Sequence, residues 1–340
     1  MRRRHWSRRE GLPKAYGMPR LERLEFKDAI HYVRVRGRTG VDIFFDPHAF
    51  RRFPHAPRQY APHVQRFELL LAAACTECGA ILHGYCLEPN LSILVLQTAG
   101  TSLQSLMQRL CSRYSRYLRA GGFVEGRGVF GARYHSKVVA PEYLPHVVRR
   151  AHRSPILAGL SRGRLDYPFS SERAYLGESA QIPITTAALK TELEVKGHHG
   201  LRGYRGFMDQ DETPYVANLL SHGSPLDSRI VGDKVFVQKA RYMSAHPAAP
   251  PTQEQLIGGV ARLMNVMPTD IYSAMHVGVL GRALVAWYGL RSGAATLAEM
   301  GRWFSVTGAT LGQAIRHHRS ATPDLFNRAI LPRPEISTDG

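Results

Sequence analysis

Four groups of residues carry side chains that could do chemistry. Cys75, Cys78, His83 and Cys86 stand as C-x2-C-x4-H-x2-C, thiolate and imidazole donors of the kind that hold zinc. The last interval is short for a zinc knuckle, and buried free thiols are the plainer reading. Tyr114 and Tyr117 lie among Arg113, Arg116 and Arg119. A phenol there could attack a phosphodiester beside guanidinium groups, or pack, stack and hydrogen-bond to phosphates; Tyr143 is a further phenol of that kind. Arg149, Arg150 and Arg153, with His146 and His152 alongside, make a basic helical face that is either solvated or binds phosphate without cutting it. His198-His199 and His317-His318 are adjacent pairs whose side chains diverge on a helix or strand, so neither reads as a metal site.

The whole chain has the charge such groups need. Its 340 residues hold 45 Lys and Arg against 27 Asp and Glu, a net charge of +18 with histidines neutral. That excess favours a polyanionic partner. Hydrophobic residues make up 44%, which excludes a largely disordered chain. No apolar run approaches the roughly 18–20 residues that span a bilayer, and the basic start (Met1-Arg2-Arg3-Arg4-His5-Trp6) lacks the apolar stretch of a signal peptide. Four cysteines do not make a disulfide scaffold. The expectation is a cytoplasmic, nucleoid-associated protein with no membrane partner.

Periodicity places the elements. Residues 1–23 form a basic arm, eight Lys and Arg against Glu10 and Glu22, either a solvated tail with Met18 as an alternative start or an arm along DNA phosphates. Ile30 to Arg36 alternates as a strand closed by Gly37; Val41 to Phe45 follows, then a helix from about Pro47. Val64 to Ala74 reads as a helix, and Gly79 to Tyr85 with Ser92 to Gln97 as two strands or one interrupted strand. Leu103 to Leu118 is a helix on its apolar spacing, Phe130 to Val139 a strand, and Glu142 to about Arg153 a helix. This order predicts an α+β fold, a ferredoxin-like α/β sandwich over residues 24–178. A connecting region, 179–244, is broken by Gly and Pro, and a Pro-rich linker spans 245–252.

After the linker, Gln253 to Arg319 reads as helical throughout. Val279 to Leu290 has a wide apolar stripe. Thr296 caps the next helix, with Glu299 in place for a capping box. A short break at Ser305 to Gly308 precedes a last helix ending in basic residues. Two short helices around a tight turn predict an all-α helix-turn-helix domain over residues 253–328. Thr307, Thr310 and Gln313 would meet base edges; Arg316, His317 and Arg319 would lie nearer phosphates. The run Leu297-Ala298-Glu299-Met300-Gly301-Arg302-Trp303-Phe304 also resembles the C-terminal DNA-binding domain of the bacterial replication initiator. Gly308 stands where such modules often place an Arg.

Residues 18–180 resemble the REP-associated tyrosine transposases, relatives of insertion-sequence transposases of the HUH class. Met18-Pro19-Arg20, Tyr32 to Gly37, Ile43-Phe44-Phe45-Asp46, His83 to Asn90, Val129 to Ser136, Tyr143-Leu144 through Ser154-Pro155 to Leu160, and Asp166-Tyr167-Pro168-Phe169-Ser170-Ser171 follow the family's motifs in order. Ile230 to Val237 resembles longer members. The resemblance implies an HUH fold, hairpin or duplex DNA as partner, and a homodimer formed through this domain.

The departures from the family bear on its chemistry. The resemblance implies His-x-His after Pro89-Asn90, two imidazoles holding the divalent metal that polarises the scissile phosphate. Here the residues are Leu91-Ser92-Ile93. It also implies a nucleophilic tyrosine five residues before Pro155, where this chain has Arg150. Neither a metal ligand nor a nucleophile remains at those positions, so no catalytic residue, metal or cofactor is expected. The reading is a transposase-derived DNA-binding protein, regulatory or accessory, whose DNA contacts come from Arg149, Arg150, Arg153, Arg113, Arg116 and Arg133 and from Thr307, Thr310, Gln313, Arg316 and Arg319. Two alternatives stay open: an active single-strand nuclease using a relocated tyrosine, and a basic scaffold for RNA or protein.

Overall fold

The computed structural model describes residues 22–45, 61–124, 128–131, 133–178, 180–246 and 250–328. Most of the basic arm, the helix expected from Pro47 and the centre of the linker lie outside them.

The fold is α+β. The described elements between residues 30 and 139 run β1 (Ile30–Arg36), α1 (Pro62–Glu77), β2 (Ile81–Glu88), β3 (Leu91–Gln97), α2 (Leu103–Ala120) and β4 (His135–Val139). With the short β5 (Ile230–Val231) the sheet order is β2-β3-β1-β4-β5. All pairings are antiparallel except β4 with β5. A β-α-β-β-α-β run with β3 inserted between β1 and β2 is the ferredoxin-like arrangement.

Side-chain alternation decides which face each strand buries. In β1, Val33 and Val35 enter the core beneath α1 and α2 while Arg34 and Arg36 point to the opposite, exposed side. Helix α2 starts where Ser102 Oγ accepts the Ser105 N–H, and it buries Leu103, Leu106, Met107, Leu110, Tyr114 and Leu118. The β2 and β3 segments are two strands, turning at Pro89-Asn90; the Pro89 carbonyl accepts from the N–H groups of Ile43 and Phe44. The strand expected from Phe130 begins only at His135. Before it, the chain crosses Gly37 and Arg38 so closely that a Cβ on Gly131 would meet the Gly37 carbonyl at 3.1 Å, and Phe130 keeps a single bridge to Gly37.

Helix α3 (Leu144–Leu157) covers β2 and β3 on the other face. Gly84 makes room for it: a Cβ there would already touch Val148. After the short α4 (Glu172–Tyr175), the connecting region broken by Gly and Pro contains α5 (Ala187–Val195), α6 (Gly200–Asp209), α7 (Pro214–His222), β5 and α8 (Lys234–Ala245). These start at local caps, Thr213 for α7 and Asp233 for α8.

The C-terminal helices are α9 (Gln253–Met264), α10 (His276–Ser292), α11 (Leu297–Trp303), α12 (Gly308–Ala321) and α13 (Pro323–Asn327). They are not continuous: Asn265 and Gly293, at φ +56° and +72°, end α9 and α10. Leu256, Val260, Leu284, Trp287, Met300, Leu311, Ile315 and Phe326 form a core of their own, apart from the one around the sheet. Among the described residues no helix is long and apolar enough to cross a membrane.

Candidate nucleic-acid interface

The strand pairings set side chains in rows on the sheet face that α3 partly covers. Cys86, Ile93, Arg34 and His135 are neighbours in one row; Glu88, Leu91 and Arg36 form the next; Val95, Tyr32 and Lys137 lie on the far side of the first. Leu91 and Ile93 are 2% and 1% exposed, ordinary core residues. Beside them Arg34, Arg36 and His135 are exposed. Neither Arg34 nor Arg36 has a hydrogen-bond or ion-pair partner among the described residues. Lys137 Nζ donates to the carbonyls of Leu220 (3.0 Å) and Ser221 (2.6 Å) at the end of α7. Burial, then Arg150 and Arg34 nearby, pull its pKa down to about 8. Arg34, Arg36 and Lys137 escaped the sequence reading. The signal was there, since arginines two apart in a strand share a face.

The α3 arginines are not free. Arg149 is 2% exposed; it donates to the Phe207 carbonyl at 3.2 Å, lies over the Phe207 ring and meets His146 Nδ1. A direct phosphate contact by Arg149 is therefore corrected to a structural role. Arg150 forks onto the Glu212 carboxylate and donates to Ser221 Oγ (2.9 Å). Arg153 donates to the Gln210 carbonyl (2.6 Å) and to Asp211 (2.7 Å). On α2, Arg113 makes a two-pronged pair with Glu77, which raises its pKa. Arg116 is exposed and lines a surface concavity with Cys111, Ser112, Ser115 and Arg119. Arg133 is exposed at the mouth of a pocket of about 240 Å³ that also takes in Arg23, His135 and Arg229.

The alternative nucleophiles and metal ligands weighed from the sequence are structural too. Tyr114 is fully buried and donates to the Ile43 carbonyl. Tyr117 OH pairs with His63 Nδ1 at 3.1 Å. Cys75, Cys78 and Cys86 are buried free thiols, their pKa values raised by burial, and His83 is held between Gln97 and the Thr185 carbonyl. The knuckle does not assemble: among the described residues no three His, Cys, Asp or Glu side chains are grouped to hold an ion. His152 lies 2.9 Å from Glu172 and 2.8 Å from Ser171 Oγ, an order of groups like that of a hydrolase triad. All three are 2% exposed or less, and Ser171 Oγ accepts the Tyr85 N–H at 2.8 Å. The cluster is a buried cross-link between α3, β2 and α4. His152 and Arg164 hold the Glu172 carboxyl down to about 2 against its desolvation.

In the C-terminal unit, Thr296 and Glu299 form the expected capping box. The α11 helix ends in a Schellman turn: Val306 N–H bonds the Gly301 carbonyl at 2.9 Å, with Ser305 at φ +55°. Thr307 is the N-cap of α12, its oxygen accepting the Thr310 N–H at 3.1 Å and sharing a 2.8 Å contact with Thr310 Oγ1. The exposed side of α12 carries Thr310, Gln313, Arg316 and His317, with Arg302 exposed on α11. Arg319 is corrected. Its guanidinium lies 4.4 Å from the Trp287 ring centre and reaches Thr185, a connecting-region residue whose N–H donates to the Leu82 carbonyl of β2, so it faces inward.

No protein-family model and no curated protein matches the chain. It is similar, over 49% of its length and 92% of the other chain, to a solved structure of a REP-associated tyrosine transposase bound to a REP hairpin, at 12% identity and a TM-score of 0.36. At that identity and score the likeness assigns neither a family nor an activity.

Proposed function

We propose that this protein binds DNA without cutting it: a transposase-derived sheet domain over residues 24–178, lacking the family's chemistry, works with a helix-turn-helix domain over residues 253–328 in a regulatory or accessory role. One observation carries the reading. On the open sheet face, the two places that the motif resemblance reserves for metal-holding imidazoles are buried Leu91 and Ile93, while their row neighbours Arg34 and Arg36 are exposed guanidinium groups. Such a face can hold phosphates, and at those two positions it has no side chain able to bind the metal that the family uses to polarise one. The place reserved for the tyrosine is Arg150, gripped by Glu212. The relocated-tyrosine alternative finds Tyr114 buried, Tyr117 bonded to His63, and the Tyr143 phenol pushed up to about 12 by burial and then by Tyr215, away from the phenolate a nucleophile needs.

In this reading the α12 side chains Thr310, Gln313 and Arg316 face the major groove, and the sheet face holds the backbone of a hairpin or single strand. The test incubates labelled hairpin and duplex DNA from the gene's flanks with the protein and Mg²⁺ or Mn²⁺, on native and denaturing gels in parallel. A native shift with no cleavage and no covalent adduct is expected. An adduct would overturn the reading and require a tyrosine elsewhere.

A further inference from the structure

The acidic residues next to α3 are unusual in a chain of charge +18. Asp209-Gln210-Asp211-Glu212 joins α6 to α7, and each of its three carboxylates sits on a different guanidinium: Asp209 on Arg164 (2.5 Å), Asp211 on Arg153 (2.7 Å) and Glu212 on Arg150. The same crossing supplies neutral oxygens as well. The Gln210 carbonyl accepts from Arg153, Ser221 Oγ from Arg150, and the Leu220 and Ser221 carbonyls from Lys137. A line of anionic and dipolar oxygens thus lies along Arg153, Arg150 and Lys137, which leads onto the sheet face where Arg34 is exposed. That is the arrangement a phosphodiester backbone would make on the same cations.

We propose that Arg150 and Arg153 are part of a nucleic-acid backbone surface continuous with Arg34, and that Asp211 and Glu212 occupy it in the free protein, competing with phosphates for the same guanidinium groups. The inference rests on the DNA-binding reading above. The competition is winnable. Asp211 is 92% exposed, and an ion pair of that kind contributes little against water and salt. The Arg150–Glu212 pair is more sheltered and gives way only after the Asp211 pair has exchanged. Asp209, tied to the inward-facing Arg164, anchors the start of the segment and need not move.

The experiment compares DNA affinity and its salt dependence for the full chain and four variants, using a fluorescein-labelled hairpin oligonucleotide. Asp211→Asn combined with Glu212→Gln should tighten binding about tenfold at low salt and steepen the fall of affinity with salt, because two more guanidinium groups release counterions. Glu194→Gln combined with Glu254→Gln makes the same change in net charge at exposed carboxylates that touch none of these arginines; it should change affinity by less than about twofold, since screened charges far from the strand contribute little. Adding Arg153→Gln to the first pair should cancel most of the gain. Asp211→Asn alone, at an exposed position, gives a smaller gain in the same direction and guards against misfolding of the double variant. Equal gains from both pairs, or no gain from the first, would overturn the proposal while leaving DNA binding intact. Absence of binding by every form would overturn the DNA-binding reading, and the proposal with it.

Discussion

His31 shows how a single buried group sets a solution property. It stands on β1 at 1% exposure, with Nε2 3.2 Å from Thr98 Oγ1. Burial, helped slightly by Arg23, lowers its pKa from 6.5 to about 4. The native state therefore keeps the imidazole neutral over a range in which the unfolded chain protonates it. Stability is fully present above pH 6.5 and is lost as pH falls toward about 4, by roughly 3 kcal/mol for the completed shift. His146 is shifted the same way and adds to the loss. Urea unfolding as a function of pH should show a midpoint falling through this window, and His31→Gln should flatten the fall; an unchanged pH profile in the variant would refute the assignment. At this scale the sequence was readable where a residue's type decides the matter. Leu91 and Ile93 cannot bind a metal wherever they sit. It was unreadable where the partner arrives from far along the chain: nothing near Arg149 announces Phe207, and nothing near Arg319 announces Trp287 and Thr185, so both arginines read as surface cations.

Elements with strong local signals were legible, and α2 is the clearest, its apolar spacing agreeing with the buried set. The start of β4 was not, because alternation continues through Phe130 to Tyr134 although the backbone there is diverted by its crossing with Gly37. The helices α5 to α7 were hidden by turn residues that delimit short elements, with Gly200 opening α6 and Pro214 opening α7. The α11–α12 pair offers two tests of its own. Ser305 holds the left-handed position of the Schellman turn, a conformation that costs a side-chain-bearing residue about 1 kcal/mol. Ser305→Gly should raise stability by about 0.5–1 kcal/mol by thermal unfolding, with no change in DNA binding; destabilisation would mean that the turn is not held as described. Gln313→Ala with Arg316→Ala changes exposed side chains only. It should abolish preference among duplex sequences while leaving non-specific, salt-sensitive binding in place, as read by competition gel shifts. Retained preference would remove α12 as the reading helix.

The two cores are joined by an interface with little tolerance. The C-terminal end of α10 lies against the sheet domain backbone to backbone: Gly100 N–H donates to the Leu290 carbonyl at 3.3 Å, and a Cβ on Gly100 would stand 1.7 Å from Gly293 N and 2.0 Å from its Cα. Gly79, at the end of α1, is pressed in the same way by Leu290 and Arg291. Around this seam Arg291, itself nearly buried, pairs with Asp28 at 2.6 Å, and Arg319 rests on Trp287. Docked like this, the α12 face and the sheet face keep a fixed relation, so under the DNA-binding proposal one DNA molecule engaging both must match a set geometry rather than a flexible reach. Gly100→Ala tests the coupling. Neither backbone can yield to a Cβ at that distance, so the C-terminal unit must lift away, exposing Trp287 and Arg319 on one side and the end of α1 on the other. A single unfolding transition should split into two, and limited proteolysis should cut within residues 245–252 faster than in the wild type. Each isolated binding activity should survive, whereas affinity for a long fragment that spans both faces should fall about tenfold or more toward that of the stronger face alone. A variant that melts in one step and binds the long fragment as tightly as the wild type would show that the seam does not hold the two units together in solution.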